Sequence, residues 1–163
     1  MARRELIDRL EFFIPTNRVA KNGRKQGMDG LNEIVRQSRG NVHLANKRKY
    51  ENERHVAKYA LEAMKEAGWV ADERLCFVEL TFIEPDKRRD DDNVFAGAKY
   101  ILDALCRPHP SGGRIIHSNG VGAFFDDDPF HVALHCKRGE PDKQNPGVRV
   151  RITRMNGEMH AGC

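Results

Sequence analysis

No run of apolar residues in the 163-residue chain is long enough to span a bilayer, and no secretory leader is present, so the sequence predicts a cytoplasmic protein with no membrane association. Cysteine is scarce and scattered. Cys76, Cys106, Cys136 and Cys163 lie about thirty residues apart with no Cys-x-x-Cys pair, which argues against a zinc knuckle or a disulfide framework and for reduced thiols. A charge balance of one sign is also missing: 28 Lys and Arg face 24 Asp and Glu, leaving a net charge of +4. That moderate excess suits a polyanionic partner without proving one.

The distribution of charge says more than the total. Basic side chains crowd the first sixty positions, whereas acids concentrate in two short clusters, Asp90-Asp91-Asp92 and Asp126-Asp127-Asp128. Adjacent carboxylates repel one another, and a divalent cation removes that cost. Mg²⁺ and Mn²⁺ take a few carboxylate oxygens together with water and substrate phosphates, which two such clusters meeting in space would supply. The plainer alternative for each cluster is a helix cap with a solvated acidic turn. A calcium loop of the EF-hand type is excluded, because Asp90-x-Asp92-x-Val94 lacks the third oxygen ligand, the turn glycine and the distal Glu.

The pattern around the clusters predicts their setting. Residues 75–83 (LCFVELTFI) are rich in strand formers and stop at Glu84-Pro85-Asp86. From Val94 the apolar residues recur with helical period through Ala98, Ile101, Leu102 and Leu105, which puts Asp92, Lys99 and Asp103 together on the opposite side. The second cluster follows Gly120-Val121-Gly122-Ala123-Phe124-Phe125 and precedes a strand-like run, residues 130–137 (FHVALHCK). By default Phe124 and Phe125 are core.

The order of these pieces closely resembles the RusA family of Holliday junction resolvases. The matching segments are Arg88-Arg89-Asp90-Asp91-Asp92-Asn93, then Lys99-Tyr100-Ile101-Leu102-Asp103-Ala104-Leu105, then Gly122-Ala123-Phe124-Phe125-Asp126-Asp127. The resemblance covers roughly residues 75 to 155. It implies a Mg²⁺-dependent endonuclease (Mn²⁺ as substitute) that resolves four-way DNA junctions by paired symmetric nicks, working as a homodimer. It places metal-binding and catalytic carboxylates at Asp90, Asp92 and Asp127, with Asp126 close behind at the last position. The family lysine falls on Ala96 when counted from Asn93 but on Lys99 when counted back from Asp103-Ala104-Leu105, a shift of one helical turn. A Lys99–Asp103 surface pair is the alternative reading. Two rivals are a metal-dependent nuclease with another DNA shape preference and a non-catalytic branched-DNA-binding protein.

Elsewhere the chain predicts a first strand over residues 10–14, a long basic loop over 16–45 with one helical turn at 31–36, and a helix over 47–67 capped by Asn46 and ended by Gly68. Candidate phosphate contacts are Arg18, Lys21, Arg24, Lys25, Lys47, Arg88 and Arg89, which contribute affinity without reading sequence. Residues 107–119 read as a Pro- and Gly-punctuated loop in which His109 and His117 are loop residues rather than ligands. A last strand alternates Val148, Val150 and Ile152 with Arg149, Arg151 and Thr153, and the tail 156–163 reads as frayed. The sum is one α/β (α+β) domain over residues 1–163, with a mixed four-stranded sheet and two helices packed on it, in the order strand, helix, strand, helix, strand, strand.

Overall fold

Four segments in which apolar residues alternate with polar ones pair into the central sheet of the computed structural model, which describes residues 7–155. They are β1 (Arg9–Pro15), β2 (Cys76–Ile83), β5 (Val132–Arg138) and β6 (Gly147–Arg154), in the spatial order β1-β6-β2-β5. β6 runs antiparallel to both β1 and β2, whereas β2 and β5 are parallel. The mixed sheet expected from the sequence is therefore present. The register sets Leu80 opposite Val150 on one side and Cys136 on the other.

One face of this sheet makes the core. Leu10, Ile14, Val78, Leu80, Val148, Val150 and Ile152 are at most 2% exposed and pack against Val56 and Ala60 of the long helix α2 (Val42–Ala67) and Ile101 and Leu105 of α4 (Ala98–Leu105). Each such side chain contributes about 1.5–3 kcal/mol on burial. The other face is an ionic lattice: Arg151 lies between Glu11 and Glu79, and Arg9 pairs with Glu11.

Three expectations about connections are corrected. The stretch 16–45 is not a loop throughout, because α1 (Leu31–Arg39) forms within it and α2 starts at Val42. The backbone N–H of Gly30 donates to Glu33 Oε2 (2.9 Å), closing the start of α1. Asn41, not Asn46, caps α2 by accepting from the His43 N–H at 2.8 Å, and Gly68 ends it at φ 67°, where a side chain would be strained. Second, the helix expected over 94–105 is two pieces, α3 (Asp91–Phe95) and α4, joined by a tighter turn in which the Gly97 N–H donates to Val94 O. Third, the 107–119 connection holds a small hairpin, β3 (His109–Ser111) with β4 (Arg114–Ile116), turning at Gly112-Gly113. On α2, Tyr50 and Leu61 are exposed, while Asn52 and Glu53 are buried. The tail 156–163 lies outside the described residues.

A polar knot fixes the helices to one another. Asp29, 2% exposed, accepts from Arg48 Nε (2.8 Å), Asn52 Nδ2 (2.9 Å) and Gln37 Nε2 (3.2 Å). The Tyr100 hydroxyl donates to the Asp29 carbonyl at 2.9 Å, so α1, α2 and α4 share one anchor beside Lys99.

Candidate functional site

The i, i+4 spacing on α4 brings the Lys99 ammonium to Asp103, with Nζ donating to Oδ1 at 2.9 Å. The two partners differ sharply in setting: the Asp103 side chain is 4% exposed, that of Lys99 69%. The surface pair expected as an alternative is thus half of one, since its carboxylate lies under the surface. Asp103 is further approached by His117 Nδ1 (3.5 Å) and by Lys49 Nζ of α2 (3.9 Å).

The glycine-led segment before the second acidic cluster has a mechanical job. The N–H groups of Val121, Ala123 and Gly122 donate to the carbonyls of Ala104, Leu105 and Cys106, which an isolated α4 would leave unpaired at its C-terminus. Cys106 and Phe124 form a parallel bridge, and the Trp69 indole N–H donates to Ala123 O at 2.8 Å. Any Cβ at Gly120 would collide with the Cys106 carbonyl oxygen, so this close backbone approach requires glycine. Phe124 is fully buried, as expected, while Phe125 lies under the Arg107 guanidinium, 4.1 Å from the ring centre.

This docking delivers Asp126 and Asp127 to the end of α4. Asp127 Oδ2 lies 3.6 Å from Lys99 Nζ, so the lysine stands between Asp103 and Asp127. The Asp103 hydrogen bond, with the charges of Asp103 and Asp127, raises the Lys99 pKa against the opposing effect of burial, and the ammonium stays protonated across the neutral range. Asp128 belongs to a turn instead, accepting from the N–H groups of Phe130 and His131.

Donor atoms of Cys106, His117, Asp126 and Asp127 all lie within 4.8 Å of one another, a group with the composition and compactness to hold a metal ion. Cys106 is buried and the other three are half-buried. Burial, followed by the charges of Asp127 and Asp103, pushes the Cys106 thiol well above its ordinary pKa. His117 sits in the left-handed region at φ 53°, unusual for a residue with a side chain. From α2, buried Glu53 accepts from Asn119 Nδ2 (3.0 Å) and lies 3.8 Å from Lys49 Nζ, which tethers the chain beside His117 to the helix layer.

Asp90 and Asp92 are not part of that four-residue group. Both are exposed in and before the first turn of α3, where Asp90 is the N-cap residue and lines an open cleft with Lys87, Arg138 and Glu140. Arg138 of β5 holds this segment by donating to Arg89 O (2.6 Å) and Asp86 O (3.4 Å). Among the expected phosphate contacts, Arg18 and Arg89 are engaged with carboxylates of the fold. Arg89 pairs with Glu84 (2.6 Å) and Glu33 (3.2 Å), and Arg18 with Glu33 (3.2 Å) and Asp29 (3.4 Å); both are turned inward because buried carboxylates need them. Lys25 donates to Gln144 O and Arg24 approaches Asp86, whereas Lys21, Lys47 and Arg88 are exposed.

Sequence reasoning missed Cys106, His117, Lys49 and Glu53. His117 carried a usable signal, a histidine ahead of the glycine segment that leads to the acids. Its meaning depended on a hairpin that folds the loop back onto α4. Compared with protein-family models, with curated proteins and with solved structures, the chain gives no match to any of them.

Proposed function

We propose that this protein is a metal-dependent endonuclease that resolves four-way DNA junctions by paired symmetric nicks. The observation that carries the reading is the position of Lys99 Nζ, 2.9 Å from Asp103 and 3.6 Å from Asp127, beside a compact set of metal-binding donors. Phosphodiester hydrolysis needs a positioned nucleophile, stabilisation of charge on the non-bridging oxygens, and relief of charge on the leaving oxygen.

The carboxylates of Asp126 and Asp127 suit a hard divalent cation such as Mg²⁺, which when bound activates water and polarises the phosphate. The chain's own residues do the rest. Lys99, kept charged by Asp103 and Asp127, presents an ammonium at the surface where a phosphate or the leaving oxygen would arrive. Asp103 is the buried anchor that holds this exposed ammonium beside Asp127. Asp90 and Asp92 add acid on the helical turn preceding α4, held through Arg138. Exposed Lys21, Lys47 and Arg88 supply sequence-independent contacts to the phosphate backbone. Two symmetric nicks call for two such sites related by a two-fold axis, hence a homodimer.

The test is nicking of labelled branched DNA in Mg²⁺ or EDTA by wild type, Asp127→Asn and Lys99→Met. The expected result is cleavage in Mg²⁺ alone, reduced roughly a hundredfold or more by either substitution. Equal cleavage by all three proteins would remove both residues from the site. Binding without cleavage in any metal would favour a non-catalytic branched-DNA-binding protein.

A further inference from the structure

The donor group at the end of α4 contains more than the hydrolysis of DNA requires. A site built for Mg²⁺ is all oxygen, because a small hard cation gains little from sulfur or imidazole. Here two carboxylates are joined by a thiol and an imidazole, with all four donor atoms within 4.8 Å of one another. One sulfur, one nitrogen and two oxygens at that separation make a four-coordinate set for a borderline cation, for which zinc is the common case.

Two further features fit such an ion. The His117 ring nitrogen Nδ1 lies 3.5 Å from Asp103 Oδ1, so a buried carboxylate stands behind the histidine as it does behind zinc-bound imidazoles. The group is also fastened from behind. Cys106 is locked by its bridge to Phe124 and by the Gly122 N–H on its carbonyl, and Asp127 receives Lys99.

We propose that Cys106, His117, Asp126 and Asp127 form a Zn²⁺ site, with Asp103 as the positioning residue behind His117. The binding claim stands apart from the nuclease reading. One consequence does rest on it: because Asp126 and Asp127 belong to both, Zn²⁺ excludes the activating Mg²⁺ and switches cleavage off.

The full chain, stripped with chelator and titrated with Co²⁺, tests the site through the absorption of a cobalt–thiolate bond. Wild type is expected to show the near-ultraviolet charge-transfer band and the visible pattern of tetrahedral cobalt. Stoichiometric Zn²⁺ abolishes both, and a large excess of Mg²⁺ does not. Cys106→Ser loses the charge-transfer band, and Asp103→Asn weakens Zn²⁺ binding about tenfold. X-ray absorption at the zinc edge of the wild-type protein gives a readout independent of any variant's folding, with one sulfur expected at about 2.3 Å. A zinc shell without sulfur, or a cobalt–thiolate band that persists in folded Cys106→Ser, overturns the assignment. Nicking of branched DNA in Mg²⁺ by the chelator-stripped wild type, before any zinc is added, reports separately on the nuclease reading.

Discussion

Replacing Asp29 by alanine removes the anchor that joins α1, α2 and Tyr100. The carboxylate is 2% exposed and takes hydrogen bonds from Arg48, Asn52 and Gln37, with Arg18 Nε 3.4 Å away. Breaking a buried ion pair by removing one partner costs about 3–5 kcal/mol. Without Asp29, Arg48 keeps only Glu51 (3.5 Å) and Arg18 keeps Glu33 (3.2 Å), and the two side chains are 26% and 21% exposed, so the lower end, about 3 kcal/mol, applies. Against a total stability of about 5–15 kcal/mol and a urea slope near 2 kcal/mol per molar, the midpoint should fall by roughly 1.5 M. Urea titration followed by circular dichroism and by the lone tryptophan, buried Trp69, reads this directly. The effect has a pH signature. Burial alone would raise the Asp29 pKa, but the bonds from Arg48 and Asn52 outweigh it and hold it below the ordinary value. A depressed carboxylate stabilises the fold at pH values above the unfolded pKa, about 4, and loses that contribution as pH falls through the folded pKa. The gap between wild type and variant should therefore narrow in acid. A midpoint shift under about 0.3 M at neutral pH, or a gap that widens in acid, would refute the reasoning.

Gly120→Ala should cost roughly 1–3 kcal/mol, because the new methyl meets the Cys106 carbonyl and undocks the segment that carries Asp126 and Asp127; thermal melts and nicking should fall together. Gly112→Ala, at φ 55° on the open hairpin turn, serves as the control, with a cost near 1 kcal/mol and nicking unchanged. Lys21→Ala and Arg88→Ala should each lower the salt slope of junction binding by about one, as for a single phosphate contact, and an unchanged slope would make that side chain a bystander. Arg89→Ala, by contrast, should lower stability far more than it alters that slope, since its guanidinium is spent on Glu84 and Glu33.

The sheet was legible because its strands alternate, and a period of two survives without tertiary information. α4 was legible for the same reason: Ile101, Leu102 and Leu105 declare a buried side. What escaped depended on partners distant in sequence. Arg89 pairs locally with Glu84, five residues back, but its second acid, Glu33, lies 56 residues away, and nothing in the sequence marks either contact as structural. The start of α2 was misplaced by a run, Val42 to Ala45, whose apolar side chains are mostly exposed and so carry no clear period. In the site, Lys99, Asp126 and Asp127 were named from the sequence and meet at the end of α4. Cys106 and His117 join them through a hairpin turn and a backbone bridge that no spacing rule encodes. Asp90 and Asp92 were named as well, and stand at the start of α3, outside the four-residue group.

The central claim is tested most directly by incubating the purified protein with a synthetic four-way junction and with the matching linear duplex, in Mg²⁺ and in EDTA, and mapping every nick on both strands. Paired nicks at symmetric positions in the junction alone, lost in EDTA and in Asp127→Asn, are the predicted result. Tight junction binding with no cleavage in any divalent metal, or equal cutting of linear duplex, would contradict it.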